Sequence, residues 1–254
     1  MASPVFTSDK RFQPSRANFS NQFSFSELSA DSTPMTMENT LKKTGILFII
    51  LVAFAAVGWL ILPPALLLPF VIAALIVGLV NSFKKEPSVP LIVAYSALEG
   101  VVVGLFSSYF EAQWPGVVWQ AVLATLCVVG ITLALFANGT LRATPKMTKI
   151  FLIAMFGYIA FSLLNFVLMI TGVTSTAFGL RGVELFGFIP LGLIVGVFAV
   201  ILGAYSLVMD FTFIQNGVNN RLPQRYGWTA GFGILVTVVW LYLEILRMLG
   251  LVRR

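Results

Sequence analysis

Any chemistry in this chain has to come from very few side chains. Its 254 residues include no histidine and a single cysteine, Cys127. That removes the usual zinc sites, haem-ligating imidazoles, Ser-His and Cys-His nucleophile pairs, and the commonest proton switch near neutral pH. A lone cysteine forms no intramolecular disulfide, and the apolar run around Cys127 predicts a buried thiol. Carboxylates are what remain, and three of them stand in or at the end of long apolar runs: Glu99, Asp210 and Glu244. An ionised side chain at mid-membrane costs at least about 2.5–3.5 kcal/mol, so each needs a reason to be there.

Glu99 lies about nine residues into its run, hence about 14 Å deep at 1.5 Å per residue, near the middle of a 30 Å hydrocarbon core. Beside it Ser96, Gly100, Gly104 and Ser108 form an unbroken ladder of small residues on one helix face. Such a ladder lets a second helix approach closely, which would aim Glu99 into the bundle. Two readings of Glu99 stand: a carboxylate that handles protons or cations, and a protonated acid bonded to a neighbouring helix. Asp210 follows a stripe of Gly192, Gly196 and Gly203 and falls at the inner end of its run. Its structural reading is an exposed interfacial carboxylate paired with Arg221 or Arg225. Glu244 precedes Arg247 by three residues, a spacing that predicts a local ion pair on one helix. Tyr158, Ser162 and Asn165 share one face of another run and read as contacts between helices. No Gly-x-Ser-x-Gly elbow, Glu-pair-plus-His constellation, phosphate-cradling glycine loop or Cys pair occurs. Neither catalysis nor a bound cofactor or metal is therefore expected.

The elements that position these residues follow from composition. Hydrophobic residues make up 58% of the chain and charged residues 10%, against about 25% charged in a soluble domain. A span needs about 20 mostly apolar residues, and seven such runs are present, near 46–62, 65–83, 89–110, 117–137, 149–171, 188–209 and 228–249. The prediction is an all-α membrane protein, a seven-transmembrane-helix bundle over residues 45–254. Pro63-Pro64 makes the first connection so tight that its spans must be antiparallel neighbours. Residues 1–44 differ in kind: Ser/Asn-rich with isolated phenylalanines, they predict a disordered polar tail and no signal peptide. A helix start is expected at Thr33-Pro34, with threonine as cap and proline in the first turn.

Basic residues set the orientation. With the tail inside, the inner side carries Lys10, Arg11, Arg16, Lys42, Lys43, Lys84, Lys85, Arg142, Lys146, Lys149, Arg221 and Arg225. Only Arg181, Arg247, Arg253 and Arg254 fall on the other side. The expectation is a multi-pass protein of the cell membrane with a cytoplasmic N-terminus. The net charge of +6 then reflects this bias and attraction to anionic lipid, and no nucleic-acid partner is expected.

Three segments carry a family resemblance: Tyr205-Ser206-Leu207-Val208-Met209-Asp210, Leu241-Tyr242-Leu243-Glu244-Ile245-Leu246-Arg247-Met248-Leu249 and Ser96-Ala97-Leu98-Glu99-Gly100. Taken with seven spans, they resemble the Bax inhibitor-1 family, in its bacterial branch, over about residues 35–252. The resemblance implies six helices around a central C-terminal seventh and a pH-sensitive leak for calcium or another cation. It also implies a proton-sensing pair of carboxyls on the sixth and seventh helices, which cannot both ionise easily when held close. Asp210 matches the sixth-helix acid. Aligning the seventh on its Leu-Arg ending puts Thr237 opposite the family acid, whereas using Glu244 lengthens the gap after Asp210 by about ten residues. A Thr237 partner would keep a hydrogen bond and remove the coupled titration. Two functions are therefore carried forward. One is a pH-modulated calcium or cation leak through Asp210, Glu244, Glu99 or Thr237. The other is a non-transporting partner or regulator of another membrane protein, such as a quality-control protease, a reading that the polar tail favours.

Overall fold

The computed structural model describes residues 33–84, 86–174, 178–185 and 189–253. Among these, seven helices are long and apolar enough to cross a membrane. They are α1 (Met37–Leu60), α2 (Leu67–Phe83, entered through a 3-10 turn at Pro64–Leu66), α3 (Val89–Gln113), α4 (Val117–Ala137), α5 (Pro145–Ile170), α6 (Leu191–Asn219) and α7 (Tyr226–Val252). Large apolar side chains cover the outward faces: Ile49 is 70% exposed, Ile153 74% and Leu60 78%. A water-soluble chain does not present such faces on several helices at once, whereas lipid solvates them. The protein is an all-α, multi-pass membrane protein.

Local chemistry explains where the helices stop. Thr36 caps α1 by accepting a hydrogen bond from the Asn39 amide, 3.2 Å, and Thr144 caps α5 through Met147 N, 3.3 Å, with Pro145 in the first turn. These are the positions where a hydroxyl satisfies an orphan amide and a missing N–H costs nothing. Between α3 and α4 the Glu111 carboxylate accepts from Gly116 N (2.6 Å) and Val118 N (3.1 Å), while Gly116 takes φ +82° to turn the chain. The α5–α6 connection contains a 3-10 turn, Gly179–Gly182, and a two-residue antiparallel pairing of Glu184–Leu185 with Ile189–Pro190.

Several expectations change in detail. The expected tail lies mostly outside the described residues, and residues 37–44 form the first turns of α1. Thr36, not Thr33, is the cap, and Pro34 instead forms a β-bridge with Pro223. Cys127 is exposed, because its place on α4 faces outward. The sixth helix runs on to Asn219, so Asp210 lies inside it rather than at its end.

The chain divides into two compact units. One comprises the described residues through Tyr109 with Met209–Thr237; the other comprises Phe110–Val208 with the described part of Val238–Arg254. Helices α3, α6 and α7 contribute residues to each. In α7, 61% of the most apolar stretch is buried, against 17% in the second and fifth spans. The C-terminal helix is the most enclosed of the seven.

Candidate functional site

In the first unit, the small-residue ladder of α3 seats α1. A Cβ on Gly100 would collide with the Leu51 carbonyl, and one on Gly104 with the Ala55 carbonyl. Backbone meets backbone there, which only glycine permits. Ser96 is fully buried and donates to Ile92 O at 3.1 Å, and Ser108 is half-buried at the far end of the ladder. Glu99 is half-buried beside this seam. Its partner comes from its own helix: the Tyr95 hydroxyl, one turn earlier, hydrogen-bonds to the Glu99 carboxylate. Tyr95 is held edge-on by Phe232 of α7, with centroids 4.9 Å apart.

Asp210 is 0% exposed, so it is not the interfacial carboxylate expected from sequence. Neither arginine proposed for it is its partner: Arg221 is exposed in the turn after α6, and Arg225 stands 3.8 Å from Glu86. The extension of α6 past Asp210 carries the acid into packed surroundings. Its Oδ2 accepts from the Thr237 hydroxyl of α7 at 2.6 Å. Its Oδ1 has no hydrogen-bond partner among the described residues. The partner of Asp210 is thus a hydroxyl, and the first unit brings Asp210 and Thr237 together with no second acid bonded to Asp210 among the described residues.

The second unit treats its buried acid differently. Glu244 is 2% exposed. The Arg247 pair predicted from the i, i+3 spacing is present, but a second cation joins it. Arg181 donates from its Nη1 to Glu244 Oε2 at 3.1 Å, and from its Nη2 to Tyr158 Oη (3.2 Å) and Ser162 Oγ (3.0 Å). The Tyr158 hydroxyl donates to Glu244 Oε1. Burial works against the Arg181 charge, but Glu244 and Tyr158 outweigh it and hold the guanidinium above the ordinary arginine pKa. It therefore stays cationic at any physiological pH.

Arg181 reaches this position because α5 pins its loop. Asn165 Oδ1 accepts from Leu180 N at 2.6 Å and Asn165 Nδ2 donates to Phe178 O at 3.4 Å. Gly179 takes φ +60° against Asn165, where a Cβ would collide with the side-chain amide. The face of Tyr158, Ser162 and Asn165 thus makes the expected contact between helices, Tyr158 meeting Glu244 and Trp240 of α7, and also binds a loop. Sequence reasoning missed Arg181. The available signal was a single cation in a short connection, opposite a polar stripe with spacing i, i+4, i+7.

Among the described residues no group of three acidic or cysteine side chains is placed to hold a metal ion. A family model described as Bax inhibitor 1 like matches residues 3–254. The match reaches beyond the span of about 35–252 that the motifs suggested and takes in the polar tail. No curated protein matches the chain.

Proposed function

This chain belongs to the Bax inhibitor 1 like family, and on that premise we propose that it provides a pH-modulated leak for a cation, calcium being the first to test. The observation that carries the reading is Asp210, fully buried with one carboxyl oxygen bonded to Thr237 and the other without a hydrogen-bond partner among the described residues. A buried carboxylate oxygen without a donor is costly until a proton or a cation meets it. With no histidine in the chain, carboxyls are the side chains that can tie flux to pH near neutrality. Thr237 cannot titrate, so the sensor proposed is a single acid rather than a coupled pair, with Glu99 as the second candidate in the same unit. Glu244, neutralised by Arg181 and Arg247, is assigned a structural role. The chain does this without catalysis or cofactor, in the cell membrane, with its N-terminus cytoplasmic; the distribution of Lys and Arg supports that orientation.

The test is calcium flux into proteoliposomes across a pH series, for wild type, Asp210→Asn and Glu99→Gln. Asparagine keeps the shape and part of the hydrogen bonding but cannot titrate. Flux whose pH dependence disappears in Asp210→Asn supports the reading. Loss confined to Glu99→Gln transfers the sensor to Glu99. Wild type that is folded yet silent at every pH rejects the leak and leaves the partner-binding function. Reporter fusions before residue 33 and after Arg254 check orientation, with opposite sides expected.

A further inference from the structure

The turn between α6 and α7 joins the two helices that carry Asp210 and Thr237, and the segment just before α1 lies across it. Thr33–Met35 runs antiparallel to Leu222–Gln224 around the Pro34–Pro223 bridge. Met35 N donates to Leu222 O at 2.7 Å and Gln224 N to Thr33 O at 3.1 Å. The Thr33 hydroxyl donates to Gln224 Oε1 at 2.7 Å. Met35 is 2% exposed and Leu222 6%, so the crossing is closed by apolar burial as well. From the first turns of α1, Lys43 Nζ donates to Gln224 O at 2.6 Å and stands 5.7 Å over the Trp228 ring.

The turn needs holding. Arg221, two residues past the end of α6, has φ +51°, the left-handed position that usually falls to glycine and is disfavoured for a side chain with a Cβ. The attachment is also limited by its own residues. Prolines face each other at its centre, neither has an N–H to give, and the pairing cannot lengthen into a ladder.

We propose that Thr33–Met35 is a releasable latch over the α6–α7 turn that controls the hairpin bearing Asp210 and Thr237. The latch itself stands on the contacts above; its control of flux rests on the leak reading. Full-length Met35→Ser removes the apolar anchor, and Met35→Leu keeps it. A third variant, Thr33→Cys with Gln224→Cys in a Cys127→Ser background, lets oxidation lock residues whose side chains already touch.

Amide hydrogen exchange over residues 216–228 should be about tenfold faster in Met35→Ser, unchanged in Met35→Leu and slower in the oxidised lock than in its reduced form. The same rates in all of them overturn the latch. In proteoliposomes, locking should lower flux and reduction restore it. A conducting wild type whose flux ignores both lock and release overturns the control of flux. Wild type without flux at any pH defeats the leak reading instead, and the exchange rates alone then decide whether the latch exists.

Discussion

Asp210 and Glu244 are buried alike, 0% and 2% exposed, yet their surroundings are opposite in kind. Glu244 in the second unit receives two guanidinium groups and a tyrosine hydroxyl. Asp210 in the first receives one threonine hydroxyl and, among the described residues, keeps one oxygen without a hydrogen-bond partner. Burial alone therefore says little about what an intramembrane acid does. Compensation separates them. An acid matched by fixed cations has its charge answered in place and serves architecture. An acid matched by a single neutral donor leaves room for a proton or a mobile cation, which is what a sensor requires.

The largest expected effect tests the compensated side. Glu244→Gln leaves Arg181 buried and facing a neutral amide, and breaking a buried pair by removing one partner costs about 3–5 kcal/mol. Thermal unfolding in detergent should show a large drop in midpoint. A change no larger than that of an exposed substitution would mean the cluster is wet and the contrast with Asp210 false.

Next comes the seam that frames Glu99. Gly100→Leu or Gly104→Leu forces a side chain into the α1 backbone, and overpacking of this kind costs about 1–3 kcal/mol or more. Ala94→Leu makes a comparable enlargement at an exposed position of α3 and should leave the midpoint where it is. Equal midpoints for all three would show that the ladder does not seat α1.

Two smaller effects probe Asp210 directly. Thr237→Val removes the one donor it has among the described residues while keeping the side-chain shape, a loss of about 1.5–3 kcal/mol if the acid is ionised and about 0.5–1.5 kcal/mol if it is neutral. Comparing the unfolding midpoint of this variant with wild type at pH 5 and pH 8 reads that difference, and a penalty identical at both would argue against titration in this range. Asp210→Asn strands no cation among the described residues, so its stability cost should stay below about 1 kcal/mol. A drop in midpoint as large as that of Glu244→Gln would make Asp210 a structural acid too, and the comparison would collapse.

Much of this protein was legible in the sequence because the relevant signals are local. Twenty apolar residues make a span wherever they occur, since the bilayer forces the backbone to satisfy itself within one helix. The seven spanning helices among the described residues accordingly overlap the seven runs that hydropathy and the proline and glycine breaks marked out. The α3 ladder and the Glu244–Arg247 pair were equally readable, because helical spacing fixes who shares a face. The partners of the buried acids that lie far along the chain were not readable from spacing. Asp210 and Thr237 are 27 residues apart, and Arg181 and Glu244 are 63 apart. Resemblance to a family pointed to Thr237 as one of two candidates, and no helical spacing paired Arg181 with Glu244. Nor did hydropathy show that α6 continues to Asn219, the extension that turns Asp210 from an interfacial residue into a buried one. The reason is physical: amino-acid type and order fix whether a segment is a helix, but the charge that meets a buried carboxyl depends on which distant loop or helix packs against it. Packing is decided by the whole chain at once, and only the tertiary structure records it.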